Sequence, residues 1–171
     1  FTQAGTGAVT RTWRDKARDI VSVKDYGAVG DGVADDTAAI AAAWAAVSAM
    51  NPMPELVFPT GIYKASSFPN FAKDNAKVTS RGNVTLRYTG SGDGVVLDSG
   101  GVDGGPNWGI YHMTFGPFDI DMASGQNAFV INGVHHSRID VNIKSVGSAY
   151  YGVVTRFCVC CDFKVRHRMK R

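Results

Sequence analysis

The chain has 171 residues, and its content of 44% hydrophobic and 11% aromatic residues is typical of one folded domain and excludes a disordered protein. Five of its 18 basic residues fall in the last eight positions, which leaves 13 basic against 15 acidic groups in residues 1–163. This mildly acidic body lacks the basic groove of nucleic-acid binders, and no window approaches the ~20 apolar residues of a membrane span, so we expect neither nucleic acid binding nor membrane insertion.

The first 20 residues are predicted to form a connector. Residues 1–10 are small and turn-prone, and residues 11–19, "RTWRDKARD", alternate in charge in a way that suits a short exposed helix or a neck. We therefore place a boundary after residue 20 and expect residues 21–171 to form one folded unit.

Residues 23–40, "VKDYGAVGDGVADDTAAI", combine glycine and aspartate as ligand sites often do. The aspartates miss the spacing of a calcium loop, and their charge has the wrong sign for a phosphate loop. We expect no metal here, and we predict a glycine-permitted turn that leads into a capped helix over residues 35–50, with one apolar face. The residues assigned to this structural cap are Gly27, Gly30, Asp31, Gly32, Asp35, Asp36, Thr37, Ile40 and Trp44.

Short strands with alternating polarity recur after Pro54. Four of them align as "VTLRY" (84–88), "FDIDM" (118–122), "IDVNI" (139–143) and "FKVRH" (163–167), and a second strand family recurs between them. The alignment predicts inward columns that begin with Val84, Phe118, Ile139 and Phe163, with His167 also inward. Two strand families with a common repeat predict a mainly β fold, a right-handed single-stranded parallel β-helix whose first coil is covered by the N-terminal helix. A β-sandwich is the alternative, since it also has short, evenly spaced strands.

The segment "VSVKDYGAVGDGVADDTAAIAAA" (21–43), followed by "LVFPTGIYKASS" (56–67), closely resembles the opening of the pectate-lyase-like β-helix superfamily, in the version found in bacteriophage tailspikes. Residues 5–28 also resemble the tailspike junction between a virion-anchoring head and the β-helix body. The resemblance covers residues 5–67, and beyond them only the repeat pattern supports it.

The resemblance implies a homotrimeric spike on the tail of a virion, which contacts other phage tail proteins through its N-terminal side and recognises bacterial surface polysaccharide. It leaves catalysis open: a catalytic member would be a polysaccharide hydrolase or lyase with most of its active site outside these residues, and no cofactor is expected. A non-catalytic adhesin of the tail and a secreted bacterial pectate-lyase-like enzyme are the alternatives. Because a stack that ended at residue 171 would leave apolar residues uncovered, we expect the natural chain to continue or a neighbouring chain to order these residues.

Two pairs of residues are candidates for contact with a glycan. Asp119 and Asp140 are predicted to stand in one outward row on coils ~4.8 Å apart. Such a pair could serve as acid and nucleophile, because the carboxyl groups of a retaining glycosidase are ~5–5.5 Å apart; a solvated outer face is the alternative. Trp108 and Tyr111 lie beside the glycine-rich loop 98–109 and could stack on sugar rings, although core packing would also use such aromatics.

Two further clusters are assigned structural roles. His135 and His136 are adjacent, so their side chains are expected to point apart, which argues against a shared metal. Cys158, Cys160 and Cys161 lack the second ligand pair of a zinc site and are predicted to lie on a buried strand.

Overall fold

The computed structural model describes residues 4, 6, 8–10, 12–17, 19–100, 109–145 and 151–167. Its helices are α1 (Trp13–Ala17) and α2 (Thr37–Ser48), with a 3-10 turn at Val23–Tyr26. Its strands are β1 (Ile20–Ser22), β2 (Asp31–Asp35), β3 (Glu55–Ala65), β4 (Lys77–Tyr88), β5 (Val95–Asp98), β6 (Ile110–Tyr111), β7 (Thr114–Met122), β8 (Asn127–Asn132), β9 (Val134–His135), β10 (Arg138–Ser145), β11 (Tyr151–Arg156) and β12 (Asp162–His167).

Three parallel sheets form the body of the molecule. The longest has the strand order β1-β3-β4-β7-β10-β12, with β2 also pairing with β3; β5, β8 and β11 form the second sheet, and β6 pairs with β9 in the third. Because the chain returns to each sheet in turn, we define coil 1 as residues 55–76, coil 2 as 77–113, coil 3 as 114–137 and coil 4 as 138–161. The parallel pairing confirms a mainly β structure consistent with a parallel β-helix, and it contradicts the sandwich alternative.

Part of the predicted strand alignment is correct. Leu86 of β4 is opposite Ile120 of β7, and Ile139 of β10 is opposite Phe163 of β12, as the aligned columns require. The first three of these side chains are fully buried, whereas Phe163 on the last described strand is 36% exposed. The side chain of His167, the other inward prediction on that strand, lies outside the described part.

Between β7 and β10 the predicted register is wrong by two positions. Phe118 pairs with Val141, and Ile139 pairs with Phe115 instead of Phe118. The true offset between paired residues is 24 before residue 116, and Phe115, Ile139 and Phe163 stand 24 residues apart at each step, where the sequence alignment had 21 for the first step. A β-bulge at residues 116–117, where two residues of β7 face one residue of β10, then reduces the offset by one.

Aromatic rings run through the interior from α2 into coil 3. Ile40, Ala43 and Val47 bury one face of α2, and Trp44 of the same helix is half-buried. The ring centroids are 5.3 Å apart for Trp44–Phe71, 6.3 Å for Phe71–Phe58, 5.4 Å for Phe58–Phe118, 4.8 Å for Phe118–Phe115 and 5.6 Å for Phe115–Phe129. The helix and the coils therefore share one core, in which edge-to-face ring pairs add to the burial of apolar area.

The aspartates of the opening segment bind the chain's own amides. Asp36 occupies the N-cap position of α2, yet its buried carboxylate accepts hydrogen bonds from the amides of Val29 (2.7 Å) and Gly30 (3.2 Å) instead of capping the helix. Asp35 accepts bonds from the amide and hydroxyl of Thr37 at the helix start. Asp36 thus ties the glycine turn to the helix, and the capping role predicted for this cluster falls to Asp35.

The remaining cap residues are placed around the same turn. Gly27, Gly30 and Gly32 all have positive φ. A side chain at Gly30 would also overlap the ring of Tyr63, so both the backbone conformation and the close packing require glycine at this position. The exposed Asp31 accepts bonds from the amides of Ala34 and Val33, which lower the pKa of its carboxyl.

We predict that Asp36→Ala lowers the free energy of unfolding by about 1–3 kcal/mol, because it removes a buried carboxylate that accepts two part-buried amide hydrogen bonds. Asp31→Ala is the matched control: its acceptor bonds are exposed, so water can replace them and the loss of stability should be clearly smaller than in Asp36→Ala. Urea unfolding followed by circular dichroism measures both. Equal losses in the two variants would contradict the role assigned to burial.

Candidate functional site

The outer face of the long sheet carries rows of polar side chains. Alternation along each strand turns Leu86 and Ile120 inward and their neighbours outward. The register places Thr85, Asp119, Asn142 and Arg166 in one row across four coils, and Lys64, Arg87 and Asp121 in the next. Neighbouring rungs therefore present hydrogen-bonding groups at the regular spacing of the coils.

A shallow cleft opens on this face at the β7 bulge, with a volume of about 140 Å³. Pro117 and residues 82–84 line it together with carboxylate, amide and guanidinium groups. The lining residues are Gly82, Asn83, Val84, Pro117, Phe118, Asp119, Asp140, Asn142 and Arg166. Because the bulge puts Pro117 where a regular strand would have an outward polar residue, the bulge itself shapes the cleft.

Each carboxylate at the cleft has a cationic neighbour. Asp119 forms an ion pair with Lys144 (2.6 Å) and accepts a hydrogen bond from the side-chain amide of Asn142 (2.8 Å). Asp140 lies 3.8 Å from the guanidinium of Arg166, which is 69% exposed. The cleft therefore combines acceptors and donors on a rigid sheet, an arrangement that suits the hydroxyl groups of a sugar.

Asp119 and Asp140 line the same cleft, but they do not stand opposite each other on neighbouring strands as predicted. The observed register of β7 on β10 places Asn142 opposite Asp119. Sequence reasoning missed Asn142, Lys144 and Pro117 as site residues. The Gly-Pro dipeptide inside a strand was the available signal, because proline in a sheet interior is typical of a bulge.

Tyr111, the candidate for sugar stacking, is exposed at a corner of the coils. Its ring lies 5.2 Å from that of His135 and 6.2 Å from that of His136, so it belongs to an aromatic cluster and not to the core. Trp108, its predicted companion, lies outside the described residues. His135 is buried and His136 is exposed, and the rings of both lie beside that of Tyr111.

The three cysteines follow β11 in a turn instead of occupying a buried strand, which corrects that prediction. Cys158 and Cys161 are half-buried and pack against the core, whereas Cys160 is exposed. All three are free thiols, and burial raises the pKa of Cys158.

No three His, Cys, Asp or Glu side chains converge on one point within the described ranges. In those ranges, too, no helix has the length and apolarity needed to span a bilayer.

Comparison with known proteins identifies similarity for the first part of the chain. The family model described as Rhamnogalacturonase A/epimerase, pectate lyase-like, matches residues 20–70. The similarity is thus to a pectate-lyase-like family. It includes the opening motif, α2 and the whole of β3, the elements on which the resemblance was recognised. A comparison with curated proteins found no match.

Among solved structures, the ORF18 protein of Geobacillus virus E2 has a similar fold. The TM-score is 0.60 at 24% sequence identity, and the alignment covers 73% of this chain. It covers 26% of the viral protein, so this chain spans about a quarter of the length of that protein. At this identity the likeness concerns the fold alone.

Proposed function

We propose that this chain is the first part of the β-helix body of a bacteriophage tailspike, which recognises bacterial surface polysaccharide through the outer face of its long sheet. In this proposal the coils wind in a right-handed sense, α2 covers the first coil, and residues 1–20 connect the body to a virion-anchoring domain. The natural protein is a homotrimer, and its N-terminal side contacts other tail proteins.

The single observation that carries the proposal is the agreement between two independent similarities. The opening motif matches a pectate-lyase-like family over residues 20–70, and the fold resembles that of a phage protein. Parallel coils bearing a polar outer face suit an extended polymer, because each rung repeats hydrogen-bonding groups along the stack.

The cleft at the β7 bulge is the proposed glycan contact. Asp140, Asn142 and Arg166 reach its surface from two neighbouring strands. The ion pairs made by Asp119 and Asp140 favour recognition over acid–base chemistry, since both carboxylates already have partners. For the residues that the structure describes, we therefore favour a tailspike that binds polysaccharide without cleaving it, a non-catalytic adhesin.

The cleft is tested with the full-length natural protein on a panel of purified capsular polysaccharides and lipopolysaccharides. We expect Asp140→Asn and Asn142→Ala to weaken binding to the recognised polysaccharide at least about tenfold, since a bond to a charged group is worth about 1.5–3 kcal/mol and tenfold is 1.4 kcal/mol. Asp121→Asn is the matched control. Asp121 is also an ion-paired aspartate on this face of the sheet, but it lies outside the cleft.

The same samples distinguish the enzyme from the adhesin. Release of reducing ends or of unsaturated sugars, lost in Asp119→Asn and Asp140→Asn, would establish a catalytic pair and contradict the adhesin form. Binding that is equally weakened by Asp121→Asn would contradict the cleft assignment. A monomeric mass for the natural protein, or failure to bind any polysaccharide of the panel, would contradict the tailspike proposal.

A further inference from the structure

Coils 2, 3 and 4 turn one corner with the same backbone conformation. We define this corner as residues 109–113 in coil 2, 133–137 in coil 3 and 157–161 in coil 4. Tyr111 pairs with His135, and His135 pairs with Val159, so equivalent positions lie 24 residues apart. Each corner contains two residues of positive φ, three positions apart: Gly109 and His112, Gly133 and His136, Phe157 and Cys160.

The second and fifth residues of each corner face the interior. In coils 2 and 3 they are buried: Ile110 and Met113, Val134 and Ser137. The equivalent residues of coil 4 are Cys158 and Cys161, which are half-buried and pack against the core. Side-chain bonds repeat as well. Ser137 donates to the carbonyl of His135 (2.7 Å). The thiol of Cys161 donates in the same way to the carbonyl of Val159 (3.5 Å).

Both inward thiols contact the same peptide of the preceding coil. The thiol of Cys161 donates to the carbonyl oxygen of Val134 (3.2 Å), and Cys158 also has a hydrogen bond with the backbone of Val134. Burial raises the pKa of the Cys158 thiol, and the charge of an ionised Cys161 raises that pKa further. Cys158 and Cys161 are therefore neighbours on the inner side of one corner, whereas Cys160 between them is exposed.

We propose that Cys158 and Cys161 are a redox-active pair that closes to an intrachain disulfide across the corner of coil 4. Their C-x-x-C spacing is typical of reversible disulfides. The end Cα atoms of a four-residue turn lie less than ~7 Å apart, and a disulfide usually requires about 4.4–6.8 Å between them. The pair does not rest on the proposed function.

The oxidant is a small disulfide such as oxidised glutathione. The thiolate of one cysteine attacks a sulfur of the oxidant and expels one glutathione thiolate. The thiolate of the other cysteine then attacks this mixed disulfide and expels the second glutathione. The chain thus loses two hydrogen atoms and forms one S–S bond, while the oxidant is reduced to two glutathione thiols.

The disulfide would hold a corner whose backbone is strained. Coils 2 and 3 have glycine at the first position of positive φ, whereas coil 4 has Phe157 there (51°), followed by Cys160 (52°). Left-handed backbone is unfavourable for any residue with a β carbon. Because a covalent link restricts the open conformations of the corner, hydrogen exchange at residues 156–162 should be slower in the oxidised chain than in the reduced chain.

The test equilibrates the reduced 171-residue chain with mixtures of reduced and oxidised glutathione, followed by acid quenching. Free thiols are blocked with N-ethylmaleimide, and oxidised ones are then reduced and labelled with iodoacetamide for peptide mass spectrometry. We expect the second label on Cys158 and Cys161 and the first on Cys160. Cys160→Ser should form the same disulfide, whereas Cys158→Ser and Cys161→Ser should form no intrachain disulfide at the same glutathione ratio.

The native fold should favour this pairing. The equilibrium constant for the disulfide should fall at least about tenfold in concentrated urea, where the corner no longer holds the two thiols together. Three results would overturn the proposal: no intrachain disulfide at any glutathione ratio, a main product that contains Cys160, or a disulfide formed equally well in urea. Because Cys160 is exposed, Cys160→Ser should stay folded, so the test does not depend on the variants at half-buried positions.

Discussion

The Phe58→Ala variant is expected to lose roughly 3–5 kcal/mol of its free energy of unfolding, the usual cost of truncating a buried phenylalanine. Phe58 is fully buried at the centre of the aromatic core, with ring centroids 5.2 Å from Tyr63, 6.3 Å from Phe71 and 5.4 Å from Phe118. It joins coil 1 to coil 3 and, through Phe71, to α2. Its removal therefore leaves a cavity whose walls belong to three elements and cannot collapse together.

Urea unfolding followed by far-ultraviolet circular dichroism measures this loss, and the thermal midpoint should fall by on the order of 10 °C. Phe157→Ala is the matched control, since Phe157 is 55% exposed and its truncation opens no cavity. Phe58→Leu keeps most of the volume and should lose less than Phe58→Ala, which allows the comparison even if the alanine variant does not fold. A loss in Phe58→Ala no larger than in Phe157→Ala would contradict the core assignment.

A second large loss of stability is expected from substitution at the β7 bulge. Gly116 has φ of 103°, and a Cβ atom at this position would overlap the carbonyl oxygen of Asp140 on the neighbouring strand. Gly116→Ala should therefore add backbone strain to a steric clash with main chain, at a combined cost of roughly 2–5 kcal/mol. Because Gly116 is part of the bulge that sets the register of β7 on β10, hydrogen exchange should accelerate in both strands.

Gly27→Ala separates the two contributions. Gly27 has a similar φ of 95°, but no atom lies within 4 Å of where its Cβ atom would be. This variant should pay only the conformational cost of about 1–3 kcal/mol. Chemical denaturation of both variants gives the difference, which reports the clash at the bulge. If the two variants lost the same stability, the close packing of β7 on β10 would be contradicted.

Local patterns in the sequence correctly predicted helix α2 and the buried faces of the strands. The alanine-rich run contains the best helix former, so α2 follows from propensity together with the apolar spacing of Ile40 and Val47. Alternating polarity predicted which side of β4, β7, β10 and β12 faces the core, since side chains of a strand point alternately to opposite faces. Both rules depend only on near neighbours in the chain. They required no knowledge of which strands meet.

The opening motif carried more specific information. Its order of glycines and aspartates pointed to a pectate-lyase-like entry, and the family match falls on residues 20–70. The role of each aspartate was less predictable. Asp36 looks like a helix cap in the sequence, yet its carboxylate turns back to Val29 and Gly30, because the folded turn places the amides of these two residues within hydrogen-bonding distance of it.

The sequence by itself determined the helix, the strand faces and the similarity of residues 20–70 to a pectate-lyase-like family, because these depend on local spacing and composition. Only the tertiary structure decided the alignment of one coil on the next. The pairing of β7 with β10 places Asn142 and not Asp140 opposite Asp119, and a bulge at residues 116–117 changes the register between the two strands by one residue. Register likewise brought His112 beside His136 across 24 residues, since contacts between coils depend on how strands pair and not on sequence separation.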